Sequence, residues 1–271
     1  MSISSTDWAV VTGASSGFGA LFARRLAERG HPLVLTGRDA ARLDAVREEV
    51  RRHTPGAVVE TVVADLATES GLELLLTELK SKDVGVLVNN AGFGTYGRFA
   101  EVPAWRESTL IAVDVTAVVR LTHELLPAMR ARGRGRILNV ASTIAFQPAP
   151  LQAVYGGAKA FVLSFSQALA EETRGSGVTV TALCPGPTRT GFTDALKADV
   201  SHTAIYRKLA EPGPVVDAGL RALDRGRPVI VPGLRNRAMT ILGRITPPGL
   251  LIRLTARMLS AADKPGHAAS R

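Results

Sequence analysis

Trp8-Ala9-Val10-Val11-Thr12-Gly13-Ala14-Ser15-Ser16-Gly17-Phe18-Gly19-Ala20-Leu21 is the stretch that decides the fold. Trp8 to Val11 reads as an apolar strand, Thr12 to Gly19 as a glycine-rich turn, and Ala20 to Arg29 as a helix stopped by Gly30. A strand, a glycine turn and a helix together make a dinucleotide phosphate site. The glycines admit the backbone to a pyrophosphate, and the helix N-terminus offers unpaired N–H groups and the positive end of its dipole. The spacing Gly-x-x-x-Gly-x-Gly is one residue longer in its first gap than the usual fingerprint. A glycine turn can also merely join a strand to a helix, and its place directly after an apolar strand favours the binding role. Gly13, Ser15, Ser16, Gly17, Phe18 and Gly19 are therefore candidate cofactor contacts.

Outward from that turn, strand and helix alternate. A second strand, Pro32 to Thr36, runs into Gly37-Arg38-Asp39. In such a fold this strand end faces the adenosine ribose, where an acid suits a free 2′-hydroxyl and an arginine suits a 2′-phosphate. Gly37 supplies no carboxylate and Arg38 follows it, which points to NADP(H) rather than NAD(H). A helix from Ala40 to about Arg52 gives way at Pro55-Gly56 to a third strand, Val58 to Val63, which ends in Ala64-Asp65-Leu66. Leucines at 72, 74, 75, 76 and 79 mark a helix over residues 69–80. Val84 to Val88 is wholly apolar, as parallel sheets require, and runs into Asn89-Asn90-Ala91-Gly92. Pro103 to Arg132 reads as one long helical stretch with a bend expected near Pro127. Strands Arg136–Ala141 and Val178–Leu183 follow, the first ending at Ser142 and the second in Cys184-Pro185-Gly186-Pro187-Thr188-Arg189-Thr190. The repeated alternation predicts an α/β fold with a doubly wound parallel sheet and helices on both faces.

Tyr155-Gly156-Gly157-Ala158-Lys159 holds the candidate chemistry. Residues four apart share a helix face, so the phenol and the ammonium lie side by side. Free tyrosine ionises near ~10 and free lysine near ~10.4. A cation beside the phenol is expected to lower its pKa and make it a working proton donor and acceptor. A tyrosine and a lysine at this spacing also occur as an ordinary pair on a solvated helix, so the rest of the chain has to decide.

Composition narrows the class. The 271 residues are 46% hydrophobic, enough for a substantial core. The first seven residues lack a basic and an apolar region, so no secretory signal is expected, and no apolar run reaches the ~18 residues of a membrane span. The single cysteine, Cys184, reads as an inert core thiol in a reducing compartment, and the cytoplasm is the expected location. The net charge of +9 is uneven: residues 1–200 hold 21 Lys/Arg against 20 Asp/Glu, and residues 201–271 hold 12 against 4. A balanced body with no interleaved aromatic and basic residues argues against nucleic acid as a partner.

Taken together, Thr12-Gly13-x-x-x-Gly17-x-Gly19, Asp65, Asn89-Asn90-Ala91-Gly92, Ser142, Tyr155-x-x-x-Lys159 and Pro185-Gly186 resemble the short-chain dehydrogenases/reductases in order and spacing, over roughly residues 8–190. The resemblance implies a seven-stranded Rossmann sheet, a nicotinamide cofactor, no metal, and assembly as a dimer or tetramer. It implies Tyr155 as general acid/base, Ser142 holding the substrate oxygen, and Lys159 binding the nicotinamide ribose while lowering the tyrosine's pKa. Asp65 and Leu66 would face the adenine, and Asn89, Ala91, Pro185, Gly186, Thr188 and Thr190 would help seat the cofactor. One position departs from the pattern: where the family has an asparagine at a helix distortion behind the lysine, this chain has Asp114.

Phe93, Tyr96, Phe99, Ile144, Phe146, Leu151, Gln152, Phe192, Leu196 and Tyr206 fall in loops expected to face the nicotinamide, and their apolar character suits a lipophilic carbonyl or alcohol. Residues 1–233 read as one domain, residues 234–260 as an amphipathic helical extension split by Pro247-Pro248, and residues 261–271 as a disordered end. In the second tail segment Leu250, Leu251, Leu254 and Met258 are expected on one side, with Arg253 and Arg257 on the other. The extension has three readings, in this order: a cap on its own pocket, a subunit contact, or peripheral contact with an anionic membrane.

Overall fold

The structure, a computed structural model, describes residues 7–192 and 209–260, together with residues 196, 200, 203 and 206. The expected disordered end lies outside the described residues. Seven strands form one sheet: β1 (Trp8–Thr12), β2 (Leu33–Gly37), β3 (Val59–Val63), β4 (Val84–Asn89), β5 (Gly135–Val140), β6 (Val178–Leu183) and β7 (Val229–Ile230). Their order is β3-β2-β1-β4-β5-β6-β7, and every neighbouring pair is parallel. The order reverses between β1 and β4, and the crevice at their carboxyl ends is where open α/β sheets take ligands.

The apolar strand residues leave no face for water, so helices cover both. Helices α1 (Gly17–Glu28), α2 (Ala40–His53) and α7 (Pro212–Asp224) bury Phe22, Leu26, Leu43, Val216 and Leu220 against one face. Helices α3 (Glu69–Leu79), α5 (Ala117–Ala131) and α6 (Ala153–Glu172) bury Leu72, Leu75, Leu121 and Leu169 against the other. Each such side chain is worth about 1.5–3 kcal/mol when removed from water. The doubly wound architecture expected from the alternation is therefore the one observed.

The long helical stretch differs from expectation. It is α4 (Ala104–Ile111), a π turn at Ala112–Thr116, then α5. The distortion sits at Asp114, where Ala117 N–H reaches back five residues to the Ala112 carbonyl. Pro127 lies inside α5 without breaking it. Pro127 and His123, four residues earlier, are both exposed, so the carbonyl that the proline leaves unpaired can turn to water.

After β7 come α8 (Leu234–Ile245) and α9 (Pro248–Leu259), separated at Pro247 as expected. Their placement refines the tail reading. Leu251 and Met258 of α9 are partly buried and Thr255 and Leu259 wholly so, whereas Leu250 and Leu254 face outward near Arg253 and Arg257. Tyr96 anchors α9 by donating its hydroxyl hydrogen to the Leu259 carbonyl. Among the described residues no helix is long and apolar enough to cross a membrane.

Candidate active site

The glycine turn is shaped by close approach. A Cβ on Gly13 would lie 2.8 Å from Ala91 Cα, and one on Gly19 would lie 2.2 Å from the Gly13 carbonyl. Gly17 has φ 56°, a conformation open to glycine at little cost. Asn90 then pins the turn. Its Nδ2 donates to the Thr12 and Gly13 carbonyls at 2.9 and 3.1 Å, and its backbone N–H donates to Thr12 Oγ1 at 2.9 Å. The first turn of α1 carries no acidic residue, and no side chain caps it. Its N–H groups are thus left for an anion in the crevice.

A cleft of ≈ 500 Å³ runs along the carboxyl ends of the strands, within the usual range for small-molecule sites. At one end lie Ser15, Arg38 and Arg42. Asp39, the nearest carboxylate in sequence, is engaged by capping α2 through Arg42 N–H at 3.0 Å and by the Arg42 guanidinium at 3.4 Å. Asp65 and Leu66 line the middle, Asp65 accepting from its own turn at Ala67 N–H, 3.1 Å. Pro185, Gly186, Thr188 and Thr190 form the opposite wall.

The other end holds the candidate chemistry. Ser142 terminates β5 and caps a short 3-10 turn at Thr143–Phe146, where its Oγ accepts from Ile144 N–H at 3.2 Å. Tyr155 is buried on α6 and packed on Phe192 at 5.3 Å between ring centroids, with the Ser142 side chain beside its phenol. Lys159, one turn on, is also buried. Its Nζ donates to the Val140 carbonyl at 2.9 Å and lies 2.9 Å from Asp114 Oδ2, close enough for an ion pair though off the line of a hydrogen bond. Asp114 is fully buried behind it, and Oδ1 accepts from Phe93 N–H at 3.1 Å. A Cβ on Gly92 would fall 2.8 Å from Asp114 Oδ2, so the Asn89–Gly92 turn and the π turn fit only with a glycine there.

This arrangement corrects two expectations. The ammonium is aimed at Asp114 and Val140, 5.8 Å from the centre of the Tyr155 ring. Burial, reinforced by the negative charge of Asp114, raises the phenol's pKa above its ordinary value, with the Ser142 side chain opposing weakly. The expected lowering by Lys159 is not among the influences on the phenol. Asp114 itself is pushed up by burial, against the pull of the Lys159 charge. Asn89, expected to seat the cofactor, turns its side chain inward to Thr122 Oγ1 at 3.2 Å and Asn139 Oδ1 at 2.8 Å, and Asn90 and Ala91 take the place in the cleft.

Gly19 likewise underlies the turn without lining the cleft. The remaining expected cofactor contacts line it: Gly13, Ser15, Ser16, Gly17, Phe18, Arg38, Asp65, Leu66, Ala91, Tyr155, Lys159, Pro185, Gly186, Thr188 and Thr190. Of the substrate-side candidates Phe93, Ile144, Phe192 and Tyr206 reach it, while Phe99 is 68% exposed and Leu196 is buried beside Gly94 without lining the cleft. Sequence reasoning did not name Arg42, in the first turn of α2, nor Arg235, Asn236, Met239 and Thr240, which with Met258 close the mouth. The first of the three tail readings, a cap on the protein's own pocket, is the one that points to this part of the chain. For Arg38 and Arg42, closeness in sequence on either side of the Asp39 cap was the available signal. Cys184 is buried and its thiol is pushed up to about 12, so it is inert as expected.

A family model described as short chain dehydrogenase matches residues 7–201. The chain belongs to the short-chain dehydrogenase family. This short-chain dehydrogenase is 36% identical over 197 residues to human 17-beta-hydroxysteroid dehydrogenase type 3, a match covering 72% of this chain and 63% of that protein. It spans only 63–65% of the human, mouse and rat forms of that relative. Among solved structures it resembles a short-chain dehydrogenase from Sphingobium yanoikuyae in complex with NADPH, with 36% identity and TM-score 0.80 over 95% of this chain and 99% of that one. It also resembles a bulky-bulky ketone specific alcohol dehydrogenase from Comamonas testosteroni, with 31% identity and TM-score 0.76 over 98% of both chains.

Proposed function

We propose that this protein is an NADP(H)-dependent oxidoreductase that interconverts a ketone and a secondary alcohol on a lipophilic small molecule. The observation that carries the reading is one cleft with an uncapped helix N-terminus and two arginines at one end and Ser142, Tyr155 and Lys159 at the other. That donor set fits a phosphorylated dinucleotide. Open N–H groups and the α1 dipole suit the pyrophosphate, and Arg38 and Arg42 suit a 2′-phosphate. When bound, such a cofactor supplies or accepts the hydride. The chain's own groups do the rest. Ser142 orients the carbonyl oxygen and Tyr155 donates a proton to it as negative charge develops there. Lys159, held by the Val140 carbonyl and by the charge of Asp114, would hold the ribose with the hydrogens that Val140 does not take. A raised phenol pKa keeps Tyr155 protonated, the form that reduction requires. The substrate end is walled by Phe93, Ile144, Phe192, Met239 and Met258, which suits a lipophilic molecule. A buried free thiol suits the cytoplasm, and the exposed Trp105, Ile111 and Phe161 offer apolar area for assembly of copies.

The test follows NADPH absorbance across a panel of bulky ketones. Consumption is expected with at least one, and Tyr155→Phe should cut turnover by ~10²–10⁴ while NADPH still binds. Binding without consumption across the panel, or full turnover by Tyr155→Phe, would refute the reading.

A further inference from the structure

Helix α8 is amphipathic in an unusual sense. Its inner face, Asn236, Thr240 and Gly243, packs on the protein, yet the face turned away is also apolar. At 100° per residue Leu234, Ala238, Ile241 and Ile245 fall on one outward stripe with Leu242 beside it. Leu234 is 87%, Ile245 76%, Leu242 60% and Ile241 54% exposed. Arg237 and Arg244 border that stripe, and on α9 the exposed Leu250 and Leu254 lie near Arg253 and Arg257. Residues 234–260 contain five arginines and no aspartate or glutamate. All five are exposed, and none forms an ion pair with a described residue. Arg235 lines the cleft and Arg244 lies over the Phe146 ring at 5.4 Å, which leaves Arg237, Arg253 and Arg257 directed to the outside.

We propose that α8 and α9 form a docking surface for an anionic lipid bilayer, with α8 lying in the interface. Its outward stripe enters the boundary of the acyl chains, and the arginines beside it meet the headgroups. An interfacial helix needs this combination of an apolar face with cations at its margins. The alternative occupant, a second copy, is disfavoured by charge. Face to face, each copy would set Arg237, Arg253 and Arg257 against the same three, with no acid in residues 234–260 of either. From sequence the membrane ranks last because Pro247 and Pro248 divide the tail into pieces of about three turns, short for independent interfacial helices. Helices α8 and α9 are indeed 12 residues each, but both are held as helices by the fold, and Leu234, Leu242, Leu250 and Leu254 are exposed.

The test sediments the full chain with vesicles of phosphatidylcholine alone or mixed equally with phosphatidylglycerol. Pelleting is expected with the acidic vesicles in ~0.1 M salt and is expected to be lost at ~0.5 M, as the Debye length shortens from about 10 Å. Ile241→Asp with Ile245→Asp should abolish pelleting. Arg253→Gln with Arg257→Gln should weaken it about 30-fold, at about fivefold per arginine. All four side chains are exposed, so NADPH binding and thermal unfolding should be unchanged and serve as fold controls. Absent pelleting, equal pelleting with both vesicles, or variants that pellet like the parent would overturn the proposal. So would a parent chain that ignores vesicles and is a dimer split by the isoleucine pair, which would assign the surface to a second copy. Vesicle binding is read without substrate, so its failure leaves the oxidoreductase reading standing.

Discussion

Asp114 sets the electrostatics of the reacting end. A fully buried carboxylate 2.9 Å from Lys159 is an exchange of charge within the site, and its cost reaches Tyr155, whose phenolate it repels. In Asp114→Asn that repulsion goes, so the phenol's pKa falls. Alcohol oxidation, which needs the phenolate, should then reach its plateau at lower pH, read as kcat/KM against pH. An unshifted profile would mean that Tyr155 does not feel the Asp114 charge. At the other end Arg38 and Arg42 are exposed, so water screens them and the lower part of the range for charge-assisted bonds applies, ~1.5 kcal/mol or about tenfold. Each single change to alanine should weaken NADPH by about that factor and NADH by less than about threefold. Equal losses for both cofactors would remove the arginines from 2′-phosphate recognition. These arginines show how single residues are read from sequence: Arg38 follows a strand end and is legible, while Arg42 needs the helix to begin at Ala40 before the two meet. Asn89 and Asn90 show the limit, because neighbours at a strand end point opposite ways and only the packed sheet says which faces the cleft.

At the scale of elements, apolar runs made the strands legible. Val178–Leu183 is β6 to the residue, because a strand buried on both faces admits little else. Read from the residues alone, the bend of the long helix falls at Pro127, the only local break signal there, whereas the family pattern points to Asp114, where the π turn lies. The π turn is fixed instead by Gly92 and Lys159, partners far away in sequence. Helix α6 carries a pair of glycines that packing distinguishes. A Cβ on Gly156 would meet Ala149 Cβ at 2.8 Å, whereas Gly157 is exposed with nothing within 4 Å. Gly157→Ala should therefore stabilise the protein by ~0.5–1 kcal/mol, raising Tm by about 2 °C. Gly156→Ala should lower Tm and disturb turnover, since the residues it displaces lead into the helix bearing Tyr155. Thermal unfolding of the two variants checks the ordering, and a reversed order would show that the approach of Ala149 to α6 is misread.

For the whole molecule, the cleft joins parts of the chain that fold on opposite sides of the sheet, so filling it should be felt globally. NADPH at 100 times its dissociation constant should stabilise the protein by about 2.7 kcal/mol, and thermal unfolding with and without it measures this. No shift at such saturation would mean that the cofactor does not prefer the folded cleft. The tail belongs to the same unit. A Cβ on Gly186 would lie 2.6 Å from Asn236 Nδ2, so α8 rests directly on the loop at the cofactor wall. Its amphipathic sequence was legible, but which side it shows to water depends on that contact and on the Tyr96 anchor. The contact at Gly186 has a consequence in time. Because α8 rests on this wall, a load on its outer face would reach the cleft, and an occupant of that face is expected to lengthen the stay of bound NADPH, read as its release rate with and without acidic vesicles.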